Sequence, residues 1–189
     1  RKLTDRGLRD NVTIHQDDIR DMHLDSDSFD AVLCLGGPLS HVTDADERED
    51  AASELQRVAR SGAPVLVSVM GFYGLLVLAA VEQWGFIYEY EDFLERQTYD
   101  DRFRELTGEE SSFADTYFFK PQQLRELLEE QGLTVEKIVG LEPVASALDK
   151  EEGLDDAFKE QLRGLAGELH GDTASPYLSN HLLAVARNR

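Results

Sequence analysis

The sequence predicts an α/β fold on a mainly parallel sheet. Short apolar runs alternate along the chain with segments of helical period. The runs at 29–35 and 64–70 are nearly continuous in apolar residues, as suits strands buried on both faces. The 189 residues, 41% of them hydrophobic, are enough for one domain with a sizeable core.

The elements follow in order. NVTIHQ (11–16) alternates Val12 and Ile14 with polar neighbours and reads as a strand. The polar link HLDSDS leads to a second strand, 29–35. Residues 44–60 form a helix with Thr43 or Asp44 as its cap and an apolar stripe of Ala51, Leu55, Val58 and Ala59. SGAP stops it, and PVLVSVM (64–70) is a third strand. Residues 71–84 are apolar and helical. Residues 86–112 are aromatic and acidic and read as short covering helices. PQQLRELLEEQ (121–131) is a helix with Pro at its first position and Gly132 just past its end, and Leu124, Leu127 and Leu128 facing inward. LTVEKIV (133–139) is a fourth strand, 154–169 a helix, and HLLAVAR (181–187) the last strand.

Charge limits the partners. Asp and Glu number 38 against 19 Lys and Arg, a formal net charge of −19. Only Lys2, Lys120, Lys137, Lys150 and Lys159 are lysines. No basic groove for a nucleic acid is evident. Acidic, lysine-poor surfaces of this kind resemble those of halophilic archaeal proteins, where salt screens self-repulsion. No run of about 18 apolar residues exists to cross a membrane. The single cysteine, Cys34, lies in an apolar run and reads as a small buried hydrophobe. No Cys/His spacing suggests a metal. These features fit a cytoplasmic protein.

Two strand ends could hold chemistry, because ligands of open α/β sheets bind at the carboxyl ends of strands. Leu35, Gly36 and Gly37 end the strand at 29–35, and glycines there let a flat ligand approach the backbone. A simple turn is the plainer alternative. Asp17, Asp18 and Ile19 end the strand at 11–16. They could accept a ligand's amine or hydroxyl and offer an apolar wall, or form a solvated acidic turn.

The run VTIHQDDIRDMHLDSDSFDAVLCLGGPLSHV followed by ELQRVARSGAPVLVSV resembles the middle of a class I S-adenosylmethionine-dependent methyltransferase. YFFKPQQLRELLEEQGLTVEKIVGL and SNHLLAVARNR resemble that family's end. The resemblance covers roughly residues 10–143 and 178–187, and its specificity lies in the order and spacing of the pieces. It implies a Rossmann-like methyltransferase sheet, mainly parallel with an antiparallel last strand, in the family order 3-2-1-4-5-7-6. It also implies S-adenosylmethionine as cofactor. Asp18 would meet the adenine amine, with Asp17 beside it and Ile19 against the ring. Leu35, Gly36 and Gly37 would line the methionine side. His41, Tyr73 and Tyr117 would face the acceptor. His41 is the candidate base, since histidines titrate near neutrality; a surface histidine is the alternative. Segment 86–118 would be a substrate-side cover.

The family's glycine-rich first loop and the acidic residue after its second strand precede the matched segment. The first strands are therefore lacking. Two further strand–helix units, on the order of 50–70 residues, are expected before Arg1. A small-molecule acceptor is the favoured reading. A non-catalytic methyltransferase-like subunit, with 86–118 as its interface, is the alternative. A nicotinamide-dependent dehydrogenase fits the late strands less well. Oligomeric state is not readable.

Overall fold

The computed structural model describes residues 11–82, 90–107, 113–144 and 155–189. A four-stranded sheet forms its centre. In chain order its strands are β1 (Val32–Cys34), β2 (Pro64–Met70), β5 (Leu133–Gly140) and β6 (His181–Asn188), arranged β1-β2-β6-β5. β1 and β2 are parallel, and β6 runs antiparallel to both β2 and β5. This is the 4-5-7-6 half of the sheet expected above.

One face of the sheet is well covered. Helix α1 (Ala45–Val58) follows a 3-10 turn at Pro38–His41. The Asp44 side chain accepts from the Glu47 N–H, so Asp44, not Thr43, is its cap. Of its stripe, Ala51, Leu55 and Ala59 are buried in one cluster with Val65, Val67 and Val69 of β2 and Leu182, Ala184 and Ala186 of β6, and Val58 is buried too. Helix α5 (Pro121–Glu130) adds Leu124 and Leu128 to the same cluster. The other face is not closed among the described residues. Leu33 of β1 is 62% exposed, and its neighbours in register, Leu66 and Val185, are only half-buried. The run at 29–35 thus carries apolar side chains for two faces, and the described helices cover one.

The expected strand at 11–16 is absent. Val12 is 42% and Ile14 80% exposed, and neither pairs with another strand. Its alternation is that of a strand, but a strand also needs a neighbour, and no described segment supplies one. For the same reason the 29–35 strand shortens to Val32–Cys34, paired only on its β2 side. The two sheet edges differ. β5 carries a bulge between Val135 and Lys137 with exposed Glu136 and Lys137, devices that discourage further pairing. β1 offers apolar residues alone.

The segment after β2 is largely helical. It contains α2 (Phe72–Glu82), α3 (Tyr90–Arg96), β3 (Thr98–Tyr99), α4 (Asp101–Thr107) and β4 (Thr116–Tyr117). β3 and β4 pair antiparallel, a ribbon the sequence did not predict. Phe72, Phe93, Tyr99, Phe103 and Phe118 form a second buried cluster, with Phe72 and Phe93 stacked 5.5 Å apart. The Trp84 end of the helix predicted at 71–84 lies outside the described residues. Helix α6 (Asp156–Leu169) precedes β6. The Ser175–Asn180 stretch between them is clamped. Ser175 Oγ accepts from Gly140 N–H, the Asn180 carbonyl accepts from Gly71 N–H, and the Ser179 backbone lies against Gly74.

Candidate functional site

The site grows from the end of β1. Gly36 and Gly37 have φ of 88° and 80°, left-handed values that favour glycine. A Cβ on either would meet nothing within 4 Å; Gly36 is exposed and Gly37 buried. Gly36 N–H donates to Ser68 Oγ at 2.9 Å, and buried Ser40 Oγ accepts from Met70 N–H at 2.9 Å. These bonds fix the turn to the end of β2.

A groove of about 400 Å³ runs along the outer side of β1. Its walls include Asp17, Asp18, Ile19, Leu33, Leu35 and Pro38. The structure therefore brings Asp17, Asp18, Ile19 and Leu35 to one cleft, whereas Gly36 and Gly37 are not among its walls. Cys34 also reaches this wall, but burial raises its thiol pKa to about 11, which leaves it inert.

Local ion pairs hold the Asp17–His23 loop. Asp17 Oδ2 accepts from His23 N–H at 2.7 Å, and its Oδ1 lies 2.8 Å from His23 Nδ1. This bond raises the His23 pKa above its ordinary 6.5 and lowers that of Asp17 below 3.8. Stability from the raised histidine is complete below pH 6.5 and is lost as pH rises through the raised value. Stability from the depressed carboxylate is complete above 3.8 and is lost as pH falls through the lowered value. The pair therefore holds the loop best in mildly acidic solution. An NMR titration should find the His23 ring titrating above 6.5, and Asp17→Asn should bring it back towards 6.5. An unchanged midpoint in the variant would mean that Asp17 is not its partner. The sequence suggests only a solvent-facing histidine at 23, because the six-residue spacing to Asp17 shows no regular period.

His41 ends the 3-10 turn, outside the groove walls. Its Nδ1 lies 3.0 Å from the Asp115 carbonyl and 3.3 Å from Thr116 Oγ1, whose own proton goes to the Ala114 carbonyl. A carbonyl can only accept, so the neutral ring must carry its proton on Nδ1. Nε2 then keeps its lone pair. Long-range proton–nitrogen NMR should show the Nδ1–H tautomer at His41; the Nε2–H form would contradict this bond.

The other two acceptor-side candidates are held by contacts of their own. Tyr73 is half-buried, edge-on to Phe72 and 5.3 Å from the Tyr177 ring. Tyr117 is buried beneath the Arg48 guanidinium, 3.7 Å from its ring centroid, and its hydroxyl accepts from Gln97 Nε2. Burial raises the Tyr117 pKa. Arg48 also donates to the Val42 and Thr43 carbonyls, so the side chain that stacks on Tyr117 of β4 is fixed to the entry of α1. No group of three or more metal-ligating side chains occurs among the described residues.

Residues 1–62, about a third of the chain, match a family model described as a methyltransferase domain. No curated protein matches the chain. Solved structures do. A S-adenosylmethionine-dependent methyltransferase from Methanosarcina mazei aligns with 93% of this chain and 66% of its own, at 16% identity and a TM-score of 0.55. One from Thermotoga maritima aligns with 96% of this chain and 67% of its own, at 16% identity and a TM-score of 0.55. The fold is the Rossmann-like methyltransferase fold. The cyclase SpnF shares it, at 14% identity and a TM-score of 0.53, over 99% of this chain and 60% of its own. The chain thus spans about three fifths to two thirds of the length of these structures. Ligands of open α/β sheets bind at the carboxyl ends of strands, and of this groove Leu35 and Pro38 lie past that end of β1.

Proposed function

We propose that this chain forms the larger part of an S-adenosylmethionine-dependent methyltransferase acting on a small-molecule acceptor in the cytoplasm of a salt-adapted cell. One observation carries the reading: Asp18 and Ile19 share a single groove along β1 with Leu35, the residue before the exposed Gly36.

The donor set fits an adenosyl sulfonium. Asp18 offers a carboxylate for the adenine amine, Ile19 and Leu35 offer apolar walls, and Gly36–Gly37 let an extended chain lie close. Bound there, the cofactor supplies an electrophilic methyl group on sulfur. A net charge of −19 favours a cationic ligand and disfavours a polyanionic acceptor. His41, with Nε2 free to accept, is the residue to take a proton from an acceptor that needs activation. In this reading the 86–118 segment, whose Asp115 carbonyl meets His41, is the acceptor-side cover. Alignment of the acceptor in a dry site accounts for much of the expected acceleration.

Calorimetric titration of the full-length natural protein with S-adenosylhomocysteine, in molar salt, tests the reading. One-site binding supports it. A full-length, folded protein that takes up neither S-adenosylmethionine nor S-adenosylhomocysteine would refute it.

A further inference from the structure

Asp18 is not a free carboxylate at the groove. Its Oδ1 accepts from the Arg20 backbone N–H at 2.9 Å and from Arg20 Nε at 2.9 Å. Its Oδ2 accepts from Arg20 Nη2 at 2.6 Å. The third guanidinium nitrogen, Nη1, donates to Glu47 on the first turn of α1 at 2.5 Å. One arginine thus grips both oxygens of Asp18 and fastens the loop to the helix that follows the glycine turn.

Counting lone pairs shows what remains. A carboxylate has about four acceptor positions, two on each oxygen. Both on Oδ1 are in use, and one on Oδ2. A single acceptor position is left, and the planar fork fixes its direction. The side chains of Arg20 and Asp18 are 40% and 48% exposed. Such a pair adds little to stability, so orientation is its main effect. The same fork holds the Asp18 pKa far below the usual carboxylate range, so the acceptor stays ionised at any working pH.

We infer that Arg20 is a positioning residue of the nucleoside site: it turns Asp18 into a single directed acceptor that reads the exocyclic amine of a purine, and Glu47 holds it there. The inference rests on the adenosyl reading above. It does not require Arg20 to touch the ligand. Without the fork, Asp18 rotates and is solvated, and the reward for an amine falls.

The test compares two ligands on the full-length protein by calorimetry: S-adenosylhomocysteine and its analogue lacking the 6-amine. The parent protein should prefer the amine by about tenfold or more, the worth of a hydrogen bond to a charged group. Arg20→Gln should shrink that preference to about twofold, mostly by weakening the amine-bearing ligand. Arg20→Lys keeps the charge without the fork and should behave like Arg20→Gln. Thermal melts of each variant show that it is folded. An equal loss for both ligands, with the preference intact, would make Arg20 merely structural and overturn the inference. Equal binding of both ligands by the parent protein would also overturn it, while leaving the cofactor reading in place. Binding of neither ligand by the parent would remove both.

Discussion

Gly74→Ala is expected to destabilise the fold by about 3 kcal/mol, lowering the melting temperature on the order of 10 °C. A Cβ there would collide with the Ser179 carbonyl and the Asn180 nitrogen. Both are backbone atoms, held by the bond from Gly71 N–H to the Asn180 carbonyl and by Ser179 Oγ on the Ser175 carbonyl. Neither side can rotate away, so the helix α2 and the Ser175–Asn180 stretch would have to separate. Gly164→Ala in α6 is the control. Nothing lies within 4 Å of an added Cβ, and the variant should gain roughly 0.5–1 kcal/mol from helix propensity. Equal melting of Gly74→Ala and the parent would show that the two backbones are not in close contact.

Asp18→Ala should weaken S-adenosylhomocysteine binding by about 10- to 100-fold, from the loss of a charge-assisted hydrogen bond. Melting should change little, because the ion pair it breaks is half-exposed. The split matters: a large affinity loss at constant stability locates Asp18 in the ligand site, whereas an affinity within about twofold of the parent would remove it.

Much of the fold was legible because its signals are local. The stripe of Ala51, Leu55 and Val58 has helical period, and each of these residues is buried where that period puts it. Pro121 and Gly132 bracket α5 for reasons of backbone geometry alone. The miss at 11–16 has a different cause. Alternation of Val12 and Ile14 records a preference for pairing, but pairing is a property of two segments, and the partner is not among the described residues. The β3–β4 ribbon was hidden because two-residue strands have no period to detect. Its partners, Thr98–Tyr99 and Thr116–Tyr117, are also separated by a helix.

The candidate site was legible in its ends and not in its fastenings. Asp18 follows an alternating run and Gly36–Gly37 an apolar one, patterns visible in one dimension. The Arg20 fork depends on the chain turning back at Asp18–Asp21, so that residues two apart face each other. The bond from His41 to Asp115 crosses 74 positions. No spacing rule reaches that far.

The most direct measurement is amide hydrogen exchange on the full-length protein with and without S-adenosylhomocysteine. Exchange should slow at Asp18–Arg20 and at Leu35–Gly37 when the ligand binds, and should not change along β5. Protection confined to other segments, with Asp18–Arg20 and Leu35–Gly37 unaffected by a ligand that binds, would contradict a nucleoside site beside β1.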